Sequence, residues 1–208
     1  MEQVSTCMQW TGVSCGHRQG RVSKLDLSNQ NVGGRLSPFI GNLSFLRIIN
    51  LEGNNFFGEI PPEIGRLFRL ETLQLSNNSF SGMIPNNLSR CSNLMHFWAD
   101  YNNLVGAQIE HLSKLETLVI GDNHLTGKLP ASVGNLSALQ SVYLQGNGLS
   151  GNIPDTLGQL GSLLHLNFNR NKLYGGGYFR SSLLSKSNLS RSDLNGERSS
   201  RENLEREA

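Results

Sequence analysis

Histidine, cysteine, aspartate and serine are the side chains in this chain that could carry covalent or metal chemistry, and their spacing fails each template in turn. The five histidines, His17, His96, His111, His124 and His165, have no Cys, Asp or second His at metal-ligand spacing. His96 and His165 fall in one column of a repeat, three units apart. At roughly 5 Å per stacked strand they lie on the order of 15 Å from each other, too far to share an ion. No nucleophile elbow accompanies any serine, and the glycine-rich loop, V-A-I-K, H-R-D and D-F-G signatures of a kinase are missing. Gly175-Gly176-Gly177 is not followed by Lys and Ser or Thr. The chain therefore reads as non-catalytic, with no metal and no cofactor. What remains is the chemistry of recognition, in which aromatic and polar side chains are held in register on a surface. The candidates are His96, Trp98, Asp100, Tyr101, Val119, Asp122, Tyr143, Gln145, His165, Asn167 and Arg170.

That register comes from a repeat. An apolar phrase restarts at Val22, Leu46, Leu70, Leu94, Leu115, Leu139 and Leu163, in steps of 24, 24, 24, 21, 24 and 24 residues. A fixed period in this range means stacked units, none able to bury its apolar side alone. The unit reads L-x-x-L-x-L-x-x-N-x-L-x-G-x-I-P-x-x-L-G-x-L, most cleanly from Leu70 to Cys91 and from Leu139 to Leu160. Its alternating core, as in Leu73-Gln74-Leu75, gives a short strand one apolar and one free face, and stacked units make a parallel sheet. Asn54, Asn78, Asn102, Asn123, Asn147 and Asn171 follow the strand core by three residues. An amide there can donate to and accept from backbone groups that would otherwise be buried unpaired. The Gly-x-Ile-Pro step, as at Gly58 to Pro61, is expected to bend the chain and start a second extended segment. Ile64, Leu88, Val133 and Leu157 then point into the core from short helical or 3-10 turns. Two units depart from the pattern. The first has Gln30 in the asparagine slot and Ser37 in the proline slot, and the fourth is three residues short and lacks Ile-Pro between Gly106 and Ile109.

With Cys7-Met8-Gln9-Trp10-Thr11-Gly12-Val13-Ser14-Cys15 in front of it, this G-x-I-P repeat resembles the ectodomains of plant leucine-rich-repeat receptor-like kinases and receptor-like proteins over roughly residues 7 to 174. The resemblance implies an α/β solenoid: a right-handed superhelix of plant-type leucine-rich repeats, with a parallel β-sheet on the concave face and short 3-10 or helical turns on the convex face. It also implies a disulfide between Cys7 and Cys15 in a cap over the first repeat. Closing a loop of that size is typically worth about 2 to 3 kcal/mol. Trp10, inside the loop, is expected to cover the apolar edge of the first repeat. Cys91 takes the slot filled by Leu43, Leu67, Leu136 and Leu160, and reads as a small core hydrophobe. The expected organisation is a cap over residues 1–21, seven repeats over 22–174, and a glycine exit with a polar, disordered tail over 175–208.

A disulfide implies an oxidising compartment, and the resemblance implies the outer face of the plasma membrane. The sequons at Asn42, Asn77, Asn87, Asn135 and Asn188 agree with that setting. No signal peptide and no apolar stretch of about 18 residues is present, so no direct membrane insertion of this chain is expected. A net charge of +2, from 18 basic and 16 acidic residues, gives no basic stripe for nucleic acid. A solenoid needs a polar cap at each end, and no second cysteine pair follows the seventh repeat. Either the tail folds over that repeat with Leu183, Leu184, Leu189, Leu194 and Leu204, or the chain is a truncated piece of a longer receptor. The truncated reading also accounts for the missing signal and kinase.

Function is then expected on the concave strand face. Its first three strands present Lys24, Asp26 and Ser28, then Ile48, Asn50 and Glu52, then Thr72, Gln74 and Ser76. The fourth breaks this polar trend with His96, Trp98, Asp100 and Tyr101, and Val119 and Tyr143 continue the Trp98 column. Exposed Trp and Tyr bring large contact area at low entropic cost and are enriched at interface hot spots. Asp122, Gln145, His165, Asn167 and Arg170 supply a polar rim. Two readings follow. One is the ligand-recognition part of a plant receptor, binding a peptide, a protein ligand or a co-receptor ectodomain in signalling or defence. The other is a soluble inhibitor of a secreted enzyme, resembling polygalacturonase-inhibiting proteins, for which a second cysteine pair and a complete cap are expected.

Overall fold

A computed structural model of the chain describes residues 10–16, 20–106 and 112–175. Alternation and period together produce what the repeat demands. The strands Val22–Asp26, Ile48–Asn50, Thr72–Gln74, His96–Trp98, Thr117–Val119, Ser141–Tyr143 and His165–Asn167 form one continuous parallel sheet, closed at its first edge by the antiparallel strand Val13–Cys15. Inward positions such as Ile49, Leu73, Phe97, Leu118, Val142 and Leu166 are buried, with their outward neighbours half-exposed. Across the short fourth unit the pairing stays in step, His96 opposite Thr117 and Trp98 opposite Val119. The missing residues therefore fall on the return limb and not in the strand.

The return limb carries a second extended segment, then a 3-10 turn. The segments Asn55–Glu59, Ser79–Met83 and Gly148–Asn152 pair with their neighbours in two smaller parallel sheets of four and three strands. Contrary to the sequence reading, the glycine of Gly-x-Ile-Pro lies inside this segment, so the motif ends it. Proline, which cannot donate to a ladder, then stops the strand and sets the extended backbone that caps a 3-10 turn. Pro61, Pro85, Pro130 and Pro154 each occupy that capping position. Ser37 takes it in the first repeat, where its hydroxyl accepts from Phe39 N–H at 3.3 Å. From these turns Ile64, Leu88, Val133 and Leu157 reach the core and are buried.

The asparagines tie consecutive repeats together. In Asn102, Nδ2 donates to the Leu75, Ala99 and Asp100 carbonyls at 3.0, 3.3 and 3.1 Å, and Oδ1 accepts from Phe80 N–H at 2.9 Å. The same set recurs at Asn54, Asn78, Asn123, Asn147 and Asn171. Before each of them comes a left-handed residue: Gly53, Asn77, Tyr101, Asp122, Gly146 and Arg170 all have φ between 48° and 65°.

Cys91 lies in the core, fully buried, with Sγ 3.2 Å from the Ile64 carbonyl, and burial pushes its thiol pKa up to about 12. Cys15 is disulfide-bonded; Cys7 lies outside the described residues, as do the tail leucines, Ile109, His17, His111 and Asn188. Trp10 does not cover the first repeat. Its side chain is 72% exposed, and the edge residues Val22, Leu25, Leu27, Val32 and Leu36 are only partly buried. Among the described residues no helix is long and apolar enough to cross a membrane.

Two outcomes test this framework. Asn102→Ala takes one of two donors from each of three carbonyls and leaves the Phe80 N–H without its acceptor, and a buried polar group left unpaired costs about 1–3 kcal/mol. The variant should lose on the order of 3 kcal/mol in chemical denaturation, whereas the exposed neighbour Asn103→Ala should stay within about 0.5 kcal/mol. In the folded protein Cys91 should resist iodoacetamide at neutral pH, and alkylation should track unfolding. Mass mapping that finds it modified under native conditions would remove it from the core.

Candidate functional site

Strand pairing sets Gln74, Trp98, Val119 and Tyr143 side by side on successive strands of the large sheet. Elsewhere this column has a structural task. The side-chain oxygens of Asp26, Asn50, Gln74 and Asn167 accept from the backbone N–H two residues on, at 3.3, 3.1, 3.2 and 3.0 Å, and so cap the turn out of the strand. At Asp26 burial raises the carboxyl pKa, but hydrogen bonds from Lys24 and Ser28 outweigh it and leave the group below its usual value. Trp98, Val119 and Tyr143 have no oxygen placed to make this bond. The middle of the sheet gives up a turn contact and receives aromatic and aliphatic surface in its place.

These residues line an open hollow of about 320 Å³ with Glu52, Gln74, Ser76, Asn77, Asp100 and Gln145. Trp98 is half-buried, its indole stacked on the His96 imidazole with ring centroids 5.3 Å apart and planes 20° from parallel. His96 Nδ1 lies 3.2 Å from Thr117 Oγ1 on the next strand. Gln145 lies over Gly121, where an added Cβ would sit 2.3 Å from its amide nitrogen. Its Nε2 donates to Asp122 at 3.4 Å, and its Oε1 is buried without a hydrogen-bond partner.

The expected residues thus divide. Trp98, Asp100, Val119, Tyr143 and Gln145 meet at the hollow, and His96 stacks against the indole. Asp122 and Arg170 do not line it. They pair with each other at 2.6 Å, reaching over Gly146, where an added Cβ would lie 2.3 Å from the carboxylate at φ 65°. Tyr101 is exposed and follows Asp100 in the chain but does not line the hollow, and His165 and Asn167 continue the strand rows one repeat beyond Tyr143. Glu52, Gln74, Ser76 and Asn77 were not among the expected site residues. Glu52 and Ser76 share a column with Asp100 and Gln145, and that column was the available signal. Of the sequon asparagines, Asn42 and Asn135 are exposed at the ends of 3-10 turns, Asn87 is half-buried within one, and Asn77 borders the hollow. His96, His124 and His165 join no cluster, and among the described residues no group of three or more His, Cys, Asp or Glu is placed to hold a metal.

A Leucine Rich Repeat family profile matches residues 45–67, 69–91, 114–136 and 138–160. The chain is 55% identical over 42 residues to the LRR receptor-like serine/threonine-protein kinase EFR of Arabidopsis thaliana, a stretch covering 20% of this chain and 4% of that protein. Among solved structures it is similar to the LRR ectodomain of the Arabidopsis thaliana membrane receptor kinase GASSHO1/SCHENGEN3 in complex with CASPARIAN STRIP INTEGRITY FACTOR 2. That match has 35% identity and a TM-score of 0.69, over 71% of this chain and 18% of that one. It is also similar to the Arabidopsis receptor kinase HAESA in complex with the peptide hormone IDA and the co-receptor SERK1, with 27% identity and a TM-score of 0.72 over 81% and 33% of the two chains. The chain therefore spans a small part of the proteins it matches. It is a leucine-rich-repeat solenoid similar to plant receptor-like kinases, and its structural neighbours include the ectodomains of plant receptors and a plant ice-binding protein.

Proposed function

We propose that this solenoid is a non-catalytic recognition segment of a plant receptor-like kinase or receptor-like protein. It acts on the extracellular side and binds a peptide or protein ligand, alone or with a co-receptor ectodomain, across the concave strands of repeats four to six. The observation that carries this reading is the Trp98, Val119 and Tyr143 column, where the chain drops a turn-capping oxygen that four other repeats keep. A local rule broken without structural gain marks a position kept for another purpose. Likeness to ectodomains solved with peptide ligands and a co-receptor supports the partner class.

Asn42 and Asn135, exposed on the turn side, are the glycosylation sites compatible with this reading, and Asn87 borders the same side. A glycan on Asn77 would stand against the hollow, so Asn77 stays unmodified in the binding-competent protein. The cap disulfide joins Cys7 to Cys15.

Affinity selection of short random peptides on the secreted protein tests the proposal. A central aromatic anchor typically loses about 2 kcal/mol on truncation, or roughly thirtyfold in affinity. Trp98→Ala and Tyr143→Ala should each weaken the selected peptides by about that factor, with the melting temperature nearly unchanged, because neither side chain is in the core. Asp26→Ala, in the first strand, should leave binding as it was. Peptides indifferent to the double Trp98→Ala, Tyr143→Ala variant would move the site off the concave face.

A further inference from the structure

The ion pairs of the described residues leave an asymmetry at the hollow. Lys24 pairs with Asp26 at 3.0 Å, Arg47 with Glu71, and Arg170 with Asp122 at 2.6 Å. Glu52 and Asp100, on the hollow itself, have no cation within ion-pair distance among the described residues. Neutral groups hold them in place. Gln74 Nε2 donates to Glu52 Oε2 at 3.3 Å, and Ser76 Oγ lies within hydrogen-bond reach of both Gln74 Oε1, at 2.8 Å, and Asp100 Oδ1. Gln74 Oε1 already accepts from Ser76 N–H at 3.2 Å. The single hydroxyl proton is therefore best used on the carboxylate, which is the stronger acceptor.

The relay orients both carboxylates and neutralises neither. It leaves Oε1 of Glu52 and Oδ2 of Asp100 without a donor in the relay, beside the Trp98 indole. An aromatic face together with two carboxylates of uncompensated negative charge fits one side chain better than any other. The guanidinium of arginine is planar and always charged, carries five donors and no acceptor, and stacks on indole. A carboxylate or phosphate would meet like charge, and an aliphatic group would leave the acceptors unpaired.

We propose that the hollow between Glu52, Asp100 and Trp98 is the pocket for an arginine side chain of an extended peptide ligand. The inference rests on the concave-face reading above and narrows its ligand to peptides with an arginine at the anchor position. The geometry explains why the acidic wall belongs to repeats two and four while the aromatic column runs from repeat four to six. A peptide crossing the strands sets its cation over the acidic end and its neighbouring residues along Val119 and Tyr143.

The test uses the same random-peptide selection on the secreted protein. Selected peptides should share an arginine at one position, and its replacement by citrulline, which keeps the shape and removes the charge, should weaken binding about tenfold or more. Glu52→Gln and Asp100→Asn should each weaken arginine peptides by several-fold without changing the citrulline forms, and raising the salt concentration should narrow the gap. Peptides that depend on Trp98 but show no arginine, or bind the Glu52→Gln, Asp100→Asn double variant unchanged, would overturn the arginine pocket and leave the concave site standing. Peptides independent of Trp98 would overturn both.

Discussion

Everything in this solenoid depends on the amide of one asparagine in each repeat after the first. A strand of three residues makes few backbone bonds, and at its end the chain must turn back over an apolar core that offers no partner for its carbonyls. Each ladder asparagine stands at that point and serves two repeats. Asn147 donates to Ile120 of the unit before it and to Leu144 and Gln145 of its own, and accepts from Leu125 N–H. The partners are backbone atoms, so the bond fixes the stacking of repeats independently of the side chains around it. A residue without both a donor and an acceptor at that reach would leave the Leu125 N–H unpaired and take one of two donors from each carbonyl.

The fixed stacking then separates stability from recognition. Inward residues of each strand carry the burial energy, and outward residues stand in straight columns whose spacing is the strand spacing. A column can therefore be rewritten without opening the core. In repeats one to three and seven it is written with oxygens that cap turns; in repeats four to six it is written with Trp98, Val119 and Tyr143. The short fourth unit does not disturb this, because Asn123 still reaches Ala99 and Leu104 as the other asparagines reach their partners. The loss is absorbed on the return limb between Leu104 and Thr117.

Most of the fold was legible because it is periodic. The strands, the asparagine ladder, the core slot of Cys91 and the alignment of Trp98, Val119 and Tyr143 all follow from spacing alone. Spacing did not reveal what depends on side-chain rotamers or on one-off contacts. Trp10 looked like an edge cover because it is large and close to the first repeat, yet it points to solvent. Gly58 and its equivalents looked like a break, yet the left-handed backbone of a glycine is accommodated within the second strand. Ser37 looked like a lost proline and proved to cap the turn with its hydroxyl. The Glu52 to Asp100 relay spans three repeats, and each residue in it is unremarkable in its own unit.

The left-handed position before each ladder asparagine shows how the scaffold supports unusual choices. Gly53, Asn77 and Gly146 are residues that tolerate φ above zero at little cost. Asp122, like Asn77, has a short polar side chain that suits this region, but Tyr101 and Arg170 do not share that ease, and such a residue there typically costs about 1 kcal/mol or more. In each repeat after the first the asparagine that follows bonds the backbone on both sides of this turn, so the cost falls on the side chain chosen and not on the turn. At Arg170 it is offset in part by the ion pair with Asp122, which passes over Gly146 where a Cβ would lie 2.3 Å from the carboxylate. Tyr101 has no ion pair of this kind among the described residues. A strained, exposed aromatic one residue from Asp100 is a side chain that the fold itself does not require, which is why it belongs with the proposed binding surface and not with the scaffold.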